Sequence, residues 1–157
     1  MNNDIIELTA KEVLRHLDIN LNQARQLIDA VMKKADEMGV KAVCAVANSA
    51  GRPVAVECMD GAYIASYDVA LNKSFTVTAL KMSTIDLKPL AQPGASLYGI
   101  QFTNEGKIVV FGGGDPLYFG GRIVGGLGVS GGTEEQDTAL SAYGAQYFKD
   151  YISKERS

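Results

Sequence analysis

The chain has 157 residues, of which 46% are hydrophobic and 21% are charged, and its formal net charge is −3 at neutral pH. This length and mixture are typical of one globular domain with a real core, and they exclude a largely disordered protein. No run of lysine or arginine suits a nucleic-acid backbone, and no apolar run is long enough to span a membrane. We therefore expect neither nucleic acid nor membrane as a partner.

The N-terminal segment and the cysteine count both bear on location. The first residues lack the basic region followed by an apolar block that marks a secretory signal. The two cysteines, Cys44 and Cys58, fit a reducing compartment better than a disulfide framework. We expect both to be buried thiols on neighbouring strands of a cytoplasmic protein.

The chain is predicted to open with a short amphipathic helix that ends near residue 18. This helix begins either with Ile5 and Ile6 or at a capping box formed by Thr9 and Glu12. Its apolar face comprises Ile6, Ala10, Val13, Leu14 and Leu17.

A second helix follows and is predicted to run to about Met38. Either Asn20 or Asn22 can cap its first amides, and Gly39 is a natural terminator. Its buried stripe comprises Ala24, Leu27, Ile28, Val31 and Ala35.

The middle of the chain reads as a hairpin followed by a third helix. Val40–Ala47 and Pro53–Met59 are rich in β-branched and small apolar residues, which favours two strands around a turn. From Ile64 to Lys81 the pattern becomes helical, with a stripe formed by Ala65, Val69, Ala70, Lys73, Val77 and Leu80. This helix also carries several serine and threonine residues, which have poor helix propensity. Either tertiary packing stabilises the helix, or these hydroxyls face a functional site.

The stretch from Val109 to Thr133 is dense in glycine. It is predicted to contain strands at Ile108–Phe111, Leu117–Phe119 and Arg122–Ser130. Glycine weakens a strand, so its repeated use indicates either tight turning alone or a sheet surface pressed against a ligand or another subunit.

A last helix is predicted from a capping box at Thr133 and Gln136 to about Ile152. Helices, an antiparallel sheet and a long terminal helix together indicate an α+β layered domain.

Several segments in a fixed order resemble one known family. The matching segments are MDGA at Met59–Ala62, DVALNK at Asp68–Lys73, QPGASLYGIQFTN at Gln92–Asn104, FGGGDPLYF at Phe111–Phe119 and VGGLGVSGGTEEQD at Val124–Asp137. They resemble the GlcG/HbpS-like family, which includes the C-terminal domain of PduO-type proteins and small proteins of diol and glycerol utilisation operons. The resemblance divides the chain into an N-terminal amphipathic helix (1–18) and a GlcG/HbpS-like domain (19–157).

The resemblance implies a profilin- or PAS-like layered fold with a five-stranded antiparallel sheet flanked by helices. It also implies homo-oligomers, often octamers. Some members of the family bind haem, some have been described as haem-degrading, and the PduO-type members are tied to cobalamin-dependent diol metabolism. Because the family is better known by fold than by reaction, the fold alone does not give the function.

His16 and Lys73 are the residues on which a tetrapyrrole would most depend. His16 is the only histidine, and it is either a haem-iron ligand or a polar residue at the edge of the first helix. Lys73 corresponds to a lysine typical of the family motif, and it either pairs with an anion such as a haem propionate or with Asp68 or Asp115.

Two glycine segments are candidate anion sites. Gly112, Gly113 and Gly114, followed by Asp115, either present their amides to an anion or form a simple bend between strands. Ser130 precedes the last helix, whose N-terminus is a second candidate site. No nucleophile elbow and no zinc-ligand spacing is present, so no catalytic constellation is predicted.

We therefore expect a non-catalytic, haem-binding homo-oligomer that is an accessory to corrinoid-dependent diol or glycerol metabolism. One alternative is an enzyme or binding protein that acts on a small hydroxy acid or carbonyl compound, bound by Lys73 and the Gly112–Asp115 turn. The other is a purely structural oligomer. Short terminal helices on diol-operon proteins can dock into microcompartment shells. Residues 3–17 either do so or pack on their own domain or a neighbour.

Overall fold

The computed structural model describes residues 2–16 and 18–156, without the side chains of residues 11, 12, 14–16, 155 and 156. The helices are α1 (Asn3–His16), α2 (Leu21–Glu37), α3 (Ile64–Leu80), α4 (Thr84–Leu90) and α5 (Glu134–Tyr147), and a π-helical turn (Phe148–Ile152) continues α5. The strands are β1 (Val43–Asn48), β2 (Pro53–Cys58), β3 (Gly114–Phe119) and β4 (Arg122–Ser130). No helix in this part of the chain has the length and apolar character needed to cross a membrane.

The four strands form one antiparallel sheet in the order β2-β1-β4-β3. Helix α3 covers one face of the sheet, and α2 and α5 pack on the other. The main core lies on the α2–α5 side, where Leu127 and Val129 of β4 meet Leu27, Val31 and Leu140. The α+β layered arrangement predicted from the sequence is therefore observed.

The prediction of five strands is wrong for the residues described, which form four. The segment Ile108–Phe111, expected to be a strand, has no regular structure. The amide of Val109 donates instead to the side-chain oxygen of Thr76, at 3.0 Å. A side chain of α3 thus takes the backbone donor that a neighbouring strand would have used.

The glycines of β4 allow α3 of the same chain to approach the strand backbone. A Cβ atom on Gly128 would overlap the Ala70 carbonyl oxygen, and one on Gly126 would lie 2.5 Å from the Ser74 carbonyl oxygen. Real Cβ atoms do not approach so closely, so any larger residue would push α3 away from the sheet. The expectation that this surface lies against a ligand or another subunit is therefore wrong for β4.

The buried face of α3 is more polar than its predicted stripe. Ala65 is exposed, whereas Ser66, Ser74, Thr76 and Thr78 are buried together with Ala70, Lys73 and Val77. Most of these hydroxyls donate to carbonyls of their own helix, as Ser74 does to Leu71 at 2.7 Å. Because these short side chains hydrogen-bond to carbonyls of their own helix, they can be buried where α3 packs directly on a strand backbone.

Capping boxes begin both α2 and α5, as predicted. For α2 the cap is Asn20 rather than Asn22, because the Gln23 amide donates to the Asn20 side chain at 2.8 Å. Thr133 and Gln136 form the corresponding box on α5. Gly39 follows α2 with a φ of 71°, and the predicted stripe of α2 is fully buried.

Helix α1 begins at Asn3 and therefore includes Ile5 and Ile6. Thr9 is not a cap, since its hydroxyl donates to the Ile5 carbonyl inside the helix at 2.7 Å. The apolar side chains described for α1 are exposed, among them Ile5, which is 57% exposed, and Leu8. Packing on the rest of this domain therefore does not explain the apolar face of α1 within the part described.

The two cysteines differ in exposure. Cys44 on β1 is buried, and desolvation raises the pKa of its thiol to about 12. Cys58 lies at the end of the neighbouring strand β2 and is exposed, so the expectation that both are buried is wrong for Cys58. As the last residue of a half-exposed strand, Cys58 faces solvent.

Candidate ligand site beside Lys73 and Asp137

Lys73 forms a buried ion pair at the centre of the molecule. Its side chain has no exposed surface, and its Nζ donates to the Val129 carbonyl at 2.7 Å and to the Asp137 Oδ2 at 3.2 Å. The partner is thus Asp137 on α5, whereas the sequence suggested Asp68 or Asp115. The pair ties α3 to α5 past the end of β4.

Burial and pairing act on Lys73 in opposite directions. Desolvation lowers the pKa of the Lys73 ammonium, and the charge and hydrogen bond of Asp137 partly offset that effect. The other oxygen of Asp137 accepts from the Gly132 amide at 2.8 Å. Asp137 therefore satisfies a buried cation and a backbone donor at the start of α5.

A cavity of about 310 Å³ opens beside this pair. Its walls include Tyr63, Ser66, Phe111, Ser130 and Asp137. Lys73 does not border the cavity, because the Phe111 ring lies over its Nζ at 5.1 Å to the ring centre. Any ligand in the cavity would meet Asp137 and Phe111 in front of the lysine.

Glu134 also borders the cavity and carries a stabilised negative charge. Lys88 donates to one of its oxygens, and the Gly112 amide donates to the other at 3.1 Å. The hydrogen bond from Lys88, followed by that from Gly112, holds the pKa of the Glu134 carboxyl below its usual range. The cavity therefore presents two carboxylates where the start of α5 was expected to attract an anion.

Two of the three amides of the Gly112–Gly114 turn already donate to side chains of the same chain. The Gly114 amide donates to the Thr84 side chain at 2.9 Å, just as the Gly112 amide donates to Glu134. Gly113 has a φ of 113°, and a Cβ atom there would lie 2.5 Å from the Lys73 Nζ. These glycines make room for buried neighbours, and an anion bound by the Gly112 or Gly114 amide would have to displace Glu134 or Thr84. The contacts weigh against binding a hydroxy acid at this turn.

Ser130 and Asp115 lie apart. The Ser130 hydroxyl donates to the Ser66 hydroxyl at 3.2 Å on the wall of the cavity. Asp115 instead faces α5, where Ser141 donates to its carboxyl at 2.5 Å, and burial raises the pKa of that carboxyl. Of the predicted site residues, Ser130 alone is among the cavity walls described. Lys73 and Gly112 lie behind the walls, hydrogen-bonded to Asp137 and Glu134, and Asp115 lies elsewhere.

The proposed iron ligand, His16, lies on α1 rather than on the elements around the cavity. The backbone of His16 ends α1, and its side chain lies outside the described residues. Across the side chains that are described, no three His, Cys, Asp or Glu residues come close enough to hold a metal ion. The assignment of His16 stays a prediction.

Asp137 is the site residue that sequence reasoning missed. It precedes Leu140, Ser141 and Gly144 at helical spacings of three, four and seven, and all four are buried. A carboxylate on the buried face of one helix and a lysine on the buried face of another need each other, since an unpaired buried charge is costly. The buried positions of Asp137 and Lys73 on their helices were the sequence feature that could have predicted this ion pair.

The strand order, with one helix on one face and two on the other, defines a small layered α+β domain with a polar cavity at the start of α5. The chain belongs to the HbpS-like family: the family model described as "Haem degrading protein HbpS-like" matches residues 19–146. The resemblance drawn from the sequence motifs is confirmed.

The relatives agree with this assignment. A 15.0 kDa protein of the dhaT-dhaS intergenic region of Citrobacter freundii is 41% identical over 132 residues, which are 84% of this chain and 93% of the relative. The corrinoid adenosyltransferase PduO of the same organism is 36% identical over 80% of this chain, but the match spans only 37% of PduO. A crystal structure described as a PduOC:heme complex has a TM-score of 0.79 at 33% identity, covering 82% of this chain and 94% of that one.

Proposed function

We propose that this protein is a non-catalytic haem-binding accessory of cobalamin-dependent diol or glycerol metabolism. The observation that carries the proposal is the haem complex of PduOC, which is 33% identical to this chain over most of both lengths. The PduO relatives support a link to corrinoid chemistry, although the match leaves most of PduO's length unaccounted for.

The surface beside the cavity suits one face of a flat apolar ligand. Tyr63 and Ile64 are 74% and 95% exposed, and Phe111 is 42% exposed. An open cavity of about 310 Å³ is at the small end for a ligand site and does not enclose a tetrapyrrole within one chain. The haem would therefore lie between two copies, which is the reason to propose a homo-oligomer, for which the family resemblance implies an octamer.

The roles of individual residues follow from their positions. Ser130 would contact the ligand from the cavity wall, and Lys73 would act from behind it by holding Asp137 in place. We propose that His16 on α1 would hold the haem iron. Haem bound in this way supplies a redox-active iron, and this chain's part is to bind and orient it.

Haemin titration of the purified protein, followed by the Soret band, tests this proposal. We expect a saturable spectral change, weakened by Phe111→Ser and altered in band position by His16→Ala. Lys33→Ala is the control, since Lys33 is an exposed residue of α2 remote from the cavity. A titration without a saturable change would reject haem binding, and an unchanged spectrum for His16→Ala would reject that ligand alone.

We further propose that residues 3–17 dock this domain on a microcompartment shell. The exposed apolar side chains of α1 support this, because a solvated helix gains nothing from them. Fusing residues 1–18 to a fluorescent protein should direct it to shells, and deleting them should leave the domain dispersed in the cytoplasm. Equal encapsulation with and without these residues would contradict the proposal.

A further inference from the structure

A second cavity, of about 280 Å³, lies further along α3, against the β1–β2 turn. Its walls come from three separate segments: Arg52 from the turn, Asn72 and Phe75 from α3, and Lys107 from the stretch before β3. Leu71 and Asn72, from the DVALNK segment, are among its walls, and it shares no wall residue with the cavity beside Asp137.

The backbone that carries Arg52 is held firmly. The side-chain oxygen of Asn48 accepts from the amides of Ala50 and Arg52, at 3.1 and 3.0 Å, and the Asn48 amide donates to the Arg52 carbonyl at 2.8 Å. Gly51, with a φ of 74°, is pressed against the Phe75 ring, which a Cβ atom would approach to 2.9 Å. The turn is thus fixed against α3 before any ligand arrives.

The backbone that carries Lys107 is fastened to the same helix. The buried hydroxyl of Thr76 accepts from the Val109 amide at 3.0 Å and lies 2.7 Å from the Asn72 carbonyl and 3.2 Å from the Lys107 carbonyl. The Lys107 ammonium has one exposed ion pair, with Glu105 at 3.5 Å, and such a pair is readily exchanged.

The chemistry of the walls is that of an anion site with an apolar floor. Two cations, Arg52 and Lys107, flank the floor formed by Leu71 and Phe75, and no carboxylate is among the wall residues. Within the described residues, neither the Arg52 guanidinium nor the Asn72 side-chain amide has a protein partner. A guanidinium beside an ammonium and an amide matches the several acceptor oxygens of a carboxylate or phosphate.

We propose that this cavity binds a small organic anion whose carboxylate or phosphate lies between Arg52 and Lys107 and whose short apolar part rests on Leu71 and Phe75. The preformed backbone favours binding, because little ordering is left to be done when the ligand arrives. The proposal is independent of haem binding, since it uses none of the wall residues of the cavity beside Asp137.

Amide chemical-shift mapping of the full chain with three probes tests the proposal. Butyrate and phenyl phosphate distinguish a carboxylate from a phosphate, and inorganic phosphate lacks the apolar part. We expect saturable shifts centred on residues 50–53, 71–75 and 107 with butyrate or phenyl phosphate, and affinity at least about tenfold weaker for inorganic phosphate.

Arg52→Met and Lys107→Met should each weaken the better probe about tenfold or more, because each removes a charge-assisted contact. Both side chains are exposed, so both variants should keep the wild-type spectrum elsewhere. Arg25→Met, at an exposed position of α2 across the sheet from α3, is the matched control and should bind normally. Equal weakening in the control, shifts scattered over all basic residues, or inorganic phosphate binding as tightly as phenyl phosphate would overturn the proposal.

Discussion

The buried pair of Lys73 and Asp137 should contribute to stability through strong coupling between its members. Removing one member of a buried pair leaves an uncompensated charge and typically costs about 3–5 kcal/mol, a large part of the roughly 5–15 kcal/mol that holds a domain folded. The cost of Lys73→Met should lie near the lower end of this range, because Asp137 keeps the hydrogen bond from the Gly132 amide. The cost of Asp137→Leu should lie near the upper end, since it leaves the ammonium without its counter-charge and the Gly132 amide without its acceptor.

Replacing both members should cost clearly less than the sum of the single changes. A double-mutant cycle with Lys73→Met and Asp137→Leu should therefore give a coupling of about 2 kcal/mol or more. Urea unfolding at neutral pH followed by circular dichroism measures each free energy, and tryptophan fluorescence is not an option because the chain has no tryptophan.

The exposed pair of Lys34 and Glu37 is the matched control for this cycle. Its nitrogen–oxygen distance is 3.5 Å and both side chains are largely solvated, so its coupling should stay below about 0.5 kcal/mol. If the Lys73 and Asp137 substitutions proved additive, or if each cost less than about 1 kcal/mol, the description of a tightly coupled buried pair would be refuted.

Three further predictions concern packing, capping and ionisation. Gly128→Ala should destabilise the fold by more than about 3 kcal/mol or prevent folding, because its Cβ would overlap a backbone carbonyl of α3. Gly94→Ala, in open space at a φ of 84°, should cost only about 1 kcal/mol. Thermal unfolding of the two variants measures the difference. Asn20→Ala should cost about 1 kcal/mol by urea unfolding and Asn22→Ala almost nothing, and equal effects would contradict the cap. Burial raises the pKa of Asp115, so the stability of the wild type relative to Asp115→Asn should fall as the pH rises through that raised pKa and recover below it. A difference between the two proteins that does not change between pH 3 and 8 would refute this assignment.

Local periodicity was sufficient to predict most of the elements. The stripe of α2, the two capping boxes and the long strand β4 follow from residue spacing within one segment. The prediction of a strand at Ile108–Phe111 was wrong even though the segment has the expected apolar pattern. The Val109 amide donates to Thr76 on α3 instead of to a neighbouring strand, and this contact joins distant segments of the chain. Spacing within a segment carries no information about such a contact.

The candidate site was harder to predict for the same reason. The family motif drew attention to Lys73 and the Gly112–Gly114 turn, but it did not reveal that their partners are Asp137, Glu134 and Thr84. The role of the β4 glycines was misjudged because the surface that needs them, the backbone of α3, is invisible until the helix is placed on the sheet. The burial of Asp137 was within reach of the sequence, and pairing it with Lys73 would have corrected the site.

Strand β4 has two sides with very different tolerance of substitution. Leu127 and Val129 meet other aliphatic side chains, which can rearrange around a residue of similar volume. Gly126 and Gly128 meet main-chain atoms of α3, which cannot rotate out of the way. A saturation library along this strand should therefore accept several aliphatic residues at the first two positions and reject every non-glycine residue at the other two, an alternation that no hydrophobicity scale would anticipate.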